Sequence, residues 1–152
     1  PKYDRVCATK KEELDIPQEW LHVIEKADGS WKKIILYNTG IAALLTHNEK
    51  WVGKIENVLK IFEENQDEIA LLWRPHPLIE STMKSMRPEV LQKYMMLKQQ
   101  YIAKGWGIYD ETADVDRAVV LSDAYYGDGS SVVQLYRQTG KPIMIQNVEI
   151  MT

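Results

Sequence analysis

The chain has 152 residues, 45% apolar and 27% charged, with a net charge of −3, which suffices for one domain with a real core but not for two of ordinary size. Its basic residues are scattered, which excludes the broad basic footprint of a nucleic-acid binder. A single cysteine, Cys7, excludes an internal disulfide and a cysteine-built zinc cage, and no apolar run reaches about 20 residues, the length of a membrane span.

The chain begins with Pro1 rather than Met and shows no signal peptide. It is therefore expected to be a fragment, with any targeting or membrane-binding segment in the missing part. Residues 1–32 are polar, are broken by Pro17 and Gly29, and read as a lead-in or interdomain segment. Within them a short helix is expected from Pro17, with Trp20, Leu21 and Ile24 turned inward.

From Lys33 the pattern becomes regular, and residues 33–152 read as one domain. Ile34-Ile-Leu-Tyr37 is a continuous apolar run of the kind that forms a strand buried on both faces, and it breaks at Asn38-Thr-Gly40. Thr46-His-Asn-Glu49 reads as a capping box, followed by a helix with Trp51, Ile55, Val58, Leu59 and Phe62 at helical spacing. Ile69-Ala-Leu-Leu-Trp73 is a second buried strand, and the two prolines of Arg74-Pro-His-Pro77 are expected to forbid further regular pairing. Pro88 opens a long helix with Val90, Leu91, Tyr94, Leu97, Tyr101 and Ile102 on one side, closed by Gly105. A third short strand is expected at 106–109, a brief helix at 113–122, and then strand, helix and strand within 122–145.

This βαβαβαβαβ order with short connections predicts an α/β fold: a doubly wound parallel sheet of about five strands with helices on both faces. Ligands of such sheets bind outside the carboxyl ends of the strands, near the point where strand order reverses. With strand order 3-2-1-4-5, three polar turns border one crevice there: Asn38-Thr39-Gly40, Arg74-Pro75-His76-Pro77 and Gly127-Asp128-Gly129-Ser130-Ser131.

Each turn carries a functional and a structural reading. Ser130 and Ser131 suit a helix N-cap, and behind a Gly-x-Gly turn they also suit an anion. Asp128 would repel a phosphate, so it is expected to bond neighbouring N–H groups or a ribose hydroxyl. His76, between two prolines, and Arg74 can both donate to a diphosphate, while Arg74 can equally pair with an acidic side chain. Thr39 and Gly40 support the turn or touch a nucleotide. No Gly-x-Gly-x-x-Gly follows the first strand and no Walker lysine motif occurs, which argues against an ordinary NAD, FAD or ATP site. His22 and His47 read as surface residues. Lys2, Lys10, Lys11, Lys32 and Lys33 read as a solvated face.

Arg74-Pro-His-Pro77, Ser122-Asp-Ala-Tyr-Tyr-Gly-Asp-Gly-Ser-Ser-Val-Val133 and Gly140-Lys-Pro142 together form a series. It resembles the C-terminal half of the CDP-glycerol glycerophosphotransferase family, enzymes of teichoic-acid polymerisation with a GT-B glycosyltransferase fold. Pro1-Lys-Tyr-Asp4 is similar to the segment that links the two halves in that family. The resemblance implies a Rossmann-like, nucleotide-donor-binding half in which His76, Ser130 and Ser131 hold the donor diphosphate, with Arg74 nearby. Asp128 matches the aspartate of the family's turn. Gly129 stands where the family usually has tyrosine, which leaves the donor open between CDP-glycerol and a nucleotide sugar. The acid/base histidine of the family belongs to the N-terminal half, so no catalytic residue is named in this chain.

The expected function is thus donor binding in a transferase that builds a cell-envelope polymer. Its partners would be the activated nucleotide and the missing N-terminal half, with no cofactor or metal and no nucleic acid. The expected location is cytoplasmic, with any contact at the inner face of the membrane supplied by the missing part. The rival reading is a stand-alone Rossmann-like module with a regulatory or protein-interaction role and no catalysis.

Overall fold

A computed structural model describes residues 14–40, 49–129 and 131–145. Five strands form one sheet: β1 (Lys33–Thr39), β2 (Ile69–Pro75), β3 (Ile108–Tyr109), β4 (Ala124–Gly127) and β5 (Ile143–Ile145). All pairings are parallel, in the order β3-β2-β1-β4-β5. Six helices flank it among the described residues: α1 (Gln18–Ile24), α2 (Glu49–Glu64), α3 (Ile79–Met86), α4 (Pro88–Lys104), α5 (Val115–Leu121) and α6 (Ser131–Arg137). This is the doubly wound α/β, Rossmann-like architecture expected from the alternation, with β1 and β4 adjacent at the reversal of strand order.

Both central strands bury side chains on both faces, which is why they read as unbroken apolar runs. Ile34, Leu36, Ala70 and Leu72 pack against α1, α5 and α6 in one core layer. Tyr37, Leu71 and Trp73 pack against α2, α3 and α4 in the other. The right-handed rule for parallel crossovers explains the split: the helices after β1 and β2 take one face, and those after β3 and β4 take the other. Trp73 anchors the second layer, edge-on to Tyr94, Tyr101 and Tyr109 with centroids 5.9, 5.2 and 5.0 Å away. The Tyr101 hydroxyl donates to the carbonyls of Leu71 (3.1 Å) and Ile108 (2.7 Å), tying α4 to the sheet.

Several details differ from the sequence expectation. Strand β2 continues through Pro75, which pairs with Thr39. The His76 N–H still donates to the Thr39 carbonyl on the β1 side. Backbone groups alternate sides along a strand, so the donor that Pro75 lacks falls on the β3 side, where that strand has already ended at Tyr109. Helix α3 has no counterpart among the expected elements. Ile102 is 51% exposed rather than inward, because it sits one residue, about 100° of helix, beyond the buried Tyr101. In α1, Trp20 and Ile24 are buried, and Leu21 is only half-buried.

The N-terminal family-like segment, Cys7, the capping box with His47, and Lys2, Lys10 and Lys11 lie outside the described residues. So do Ser130 and the side chain of Ser131. No helix among the described residues is long and apolar enough to cross a membrane.

Candidate functional site at the carboxyl edge of the sheet

The described residues of the three polar turns lie side by side at the carboxyl edge, and hydrogen bonds stitch them into a row. From the second turn, the His76 N–H donates to the Thr39 carbonyl at 2.9 Å. From the third, the Asp128 N–H donates to the Asn38 carbonyl at 2.9 Å. In return the Gly40 N–H donates to Asp128 Oδ2 at 2.7 Å. Asn38 Nδ2 donates to the Tyr125 hydroxyl at 3.0 Å, and that hydroxyl donates to the Asp128 carbonyl.

Close approach of β4 to β1 at this point requires a glycine. Gly127 has φ 145°, and a Cβ there would stand 2.2 Å from the Asn38 carbonyl oxygen. Asn38 and Asp128 are 6% and 7% exposed, and Thr39 is fully buried. The Thr39 hydroxyl accepts from Trp73 Nε1 at 3.3 Å. Among the described residues, the polar groups of the β1–β4 part of the edge are therefore buried and bonded to one another. Gly129 is exposed at the start of the following turn.

On the β2–β3 side the edge opens into a cavity of about 750 Å³ whose lining includes Arg74, His76, Glu80, Lys98, Tyr109 and Asp110. Arg74 Nη1 donates to Asp110 Oδ2 at 3.1 Å and to the Thr112 carbonyl at 2.7 Å. Asp110 is 1% exposed, and its Oδ1 accepts from the Thr112 N–H (2.9 Å) and hydroxyl (2.6 Å). His76 is exposed. Its Nδ1 accepts the Leu78 N–H at 3.1 Å, so in the neutral ring the proton sits on Nε2, available to a ligand.

In the same cavity wall, Lys98 bridges Glu80 at 2.8 Å and Glu111 at 2.9 Å and sits 5.0 Å from the Tyr109 ring centroid. Burial pulls its pKa down, but the two carboxylates outweigh burial and leave it above the ordinary lysine value. It stays charged at neutral pH. The Tyr94 and Tyr109 hydroxyls meet at 3.2 Å, and burial first of all pushes both phenols up.

Sequence reasoning did not single out Asp110, Thr112, Glu80, Lys98 or Tyr109. The signal that marks the other turns, polar residues directly after a strand, is present equally in Asp110-Glu-Thr112. The strand before it is only two residues long, so the Trp-Gly-Ile-Tyr run announces it weakly. Lys141 of the Gly-Lys-Pro series plays a structural part. Its ammonium donates to the carbonyls of Val119 (2.7 Å), Val120 (3.3 Å) and Ser122, at the end of α5. A cation there complements the negative end of the helix dipole.

No family model matches the chain, and no curated protein sequence does. Among solved structures, it is similar to a histidine-to-asparagine variant of the wall teichoic acid polymerase TagF, with 19% identity and a TM-score of 0.49. The similarity covers 84% of this chain and 27% of that one, so the chain spans about a quarter of that protein's length. At that identity and score the likeness assigns no function, and the fold rests on the sheet order above.

Proposed function

We propose that this chain is the donor-nucleotide-binding part of a transferase that moves a glycerophosphate or glycosyl group from an activated nucleotide to a cell-envelope polymer. The observation that carries the reading is the row of three turns at the reversal of strand order, opening beside Arg74 and His76 into a cavity of nucleotide size. Arg74 and His76 donate to the diphosphate from one side. The donors on its other side are assigned to Gly129, Ser130 and Ser131, as the family resemblance implies. Asp128, Thr39 and Gly40 hold that turn in place rather than touch the phosphate.

The chemical role of such an edge is electrostatic. Fixed donors neutralise the charge that grows on the leaving nucleotide phosphate as the transferred group departs. The acceptor and the general base belong to a second half, cytoplasmic like this one, as the family resemblance implies. The chain alone then binds nucleotide weakly and turns nothing over, since half of a two-sided site supplies half of the contacts.

Titration with CDP, UDP, CDP-glycerol and UDP-sugars, followed by calorimetry and amide NMR, tests the reading. Shifts centred on residues 39–40, 74–77 and 127–131 support it. Silence at millimolar ligand with folding intact favours an interaction module instead. One observation speaks for that second reading: an apolar groove of about 410 Å³ between α2 and β5, lined by Ile61, Phe62, Tyr126 and Met144 among others. Ile61 and Met144 are 58% and 65% exposed there, and shifts confined to them on adding a partner protein would identify it.

A further inference from the structure

We infer that Asp110 is a positioning residue that presets Arg74 as a two-pronged anion fork at the cavity mouth, and that the ligand group read by the fork is a phosphate or diphosphate. The inference rests on the donor-binding reading and deepens it.

Only one nitrogen of Arg74, Nη1, is engaged among the described residues, by Asp110 Oδ2 and the Thr112 carbonyl. That leaves Nε and Nη2, which share one edge of the planar guanidinium and match two phosphate oxygens side by side. The brace behind Nη1 is itself fixed. Asp110 spends Oδ1 on the N–H and hydroxyl of Thr112, so Oδ2 is aimed at Arg74 and nowhere else in that turn. The Thr112 hydroxyl is held in turn by Arg117 Nη2 at 3.2 Å. The Asp110 side chain is 0% exposed and that of Arg74 13% exposed, so the arginine still lines the cavity while its Nη1 is anchored in protein. A ligand that meets such a fork does not have to order a long flexible side chain first.

A plain fold-stabilising ion pair makes the opposite prediction for one substitution. Asp110→Asn removes a negative charge beside the site, so simple Coulomb attraction strengthens anion binding. If orientation of the fork matters more, binding weakens despite the added positive charge. The sign of the effect therefore separates the two accounts.

The experiment measures binding of inorganic pyrophosphate, CDP, UDP and the free nucleosides to the full chain by calorimetry at fixed ionic strength. For D110N we expect pyrophosphate and nucleotide affinity to fall about tenfold, the scale of one charge-assisted hydrogen bond, with nucleoside binding unchanged. In an Arg74→Gln background D110N should cause no further loss. Unchanged or tighter phosphate binding by D110N, or losses that add in the double variant, overturns the inference. Should D110N fail to fold, Thr112→Ala decides. It keeps the Thr112 carbonyl and Asp110 but removes the hydroxyl brace, and a phosphate affinity equal to wild type overturns the inference. If the wild-type chain binds neither pyrophosphate nor nucleotide, the donor-binding reading falls and the inference with it. Wild-type binding that ignores the substitutions defeats the inference alone.

Discussion

The two sides of the carboxyl edge use similar polar residues to opposite ends. On the β1–β4 side, Asn38, Thr39 and Asp128 are buried and bonded to Tyr125, Trp73 and Gly40. Their polarity fastens two strand ends together. On the β2–β3 side, Arg74 and Lys98 line a cavity, with carboxylates that anchor them. The difference teaches that a polar turn at the functional edge is not in itself a ligand site. What separates the two is whether donors remain after the protein's own acceptors are satisfied.

The largest expected effect tests the closed side. Gly127→Ala places a methyl 2.2 Å from the Asn38 carbonyl oxygen in a backbone conformation that L-residues rarely adopt. We expect a loss of about 3 kcal/mol or more in urea denaturation, or failure to fold. A wild-type midpoint would break the account of how β4 meets β1. Asp128→Ala comes next. It strips the carboxylate from the Gly40 N–H, with an expected cost of about 2 kcal/mol, and it should disturb amides at 38–40 more than those at 74–77. Equal disturbance of both groups would mean the two sides are one unit.

The open side should respond less in stability. Lys98→Met removes two ion pairs whose carboxylates are 42% and 62% exposed, so about 1 kcal/mol or less is expected at moderate salt. A larger loss would show that the cavity wall is as tightly fastened as the closed side.

A pH series sharpens the contrast further. Burial pushes Tyr136 up to about 12 from an ordinary 10.0, and burial also raises Tyr94, Tyr101 and Tyr109. A raised pKa in the folded state means stability is full below the unfolded value and is lost as pH climbs toward the folded one. Stability from these groups is therefore constant near neutrality and begins to fall above about pH 10, with the Tyr136 share lost between about pH 10 and 12. Tyr136→Phe should blunt that fall slightly, with a neutral-pH cost of about 1 kcal/mol for the lost 3.1 Å contact with Ser122. An alkaline limb identical to wild type would contradict the assignment.

Much of the fold was legible because the two central strands are apolar on both faces and the helices between them end in glycine or turn residues. Gly105 closes α4 with φ 69°, as its place after the last periodic residue implies. Helix α3 does carry a helical signal, Ile79, Met83 and Met86 at i, i+4 and i+7, but the run is only eight residues long and follows directly on the prolines at 75 and 77, which drew the reading toward a turn. The register in which β2 outlasts its first proline was not readable either. It depends on which neighbour Pro75 faces, a tertiary fact.

For the site, the flanking prolines made His76 and Arg74 visible. Nothing local tells that Arg74 meets Asp110, a residue 36 positions later in the chain. Asp128 was ambiguous from sequence between ribose and backbone, and its bond to the Gly40 N–H across 88 positions again comes only with the fold.

The most direct measurement is an amide NMR titration of the folded chain with CDP and UDP. The account expects shifts that grow with ligand at 74–77 and along the 127–131 turn, with residues lining the α2–β5 groove unmoved. Silence along the carboxyl edge at millimolar nucleotide, with the spectrum otherwise that of a folded protein, would contradict it.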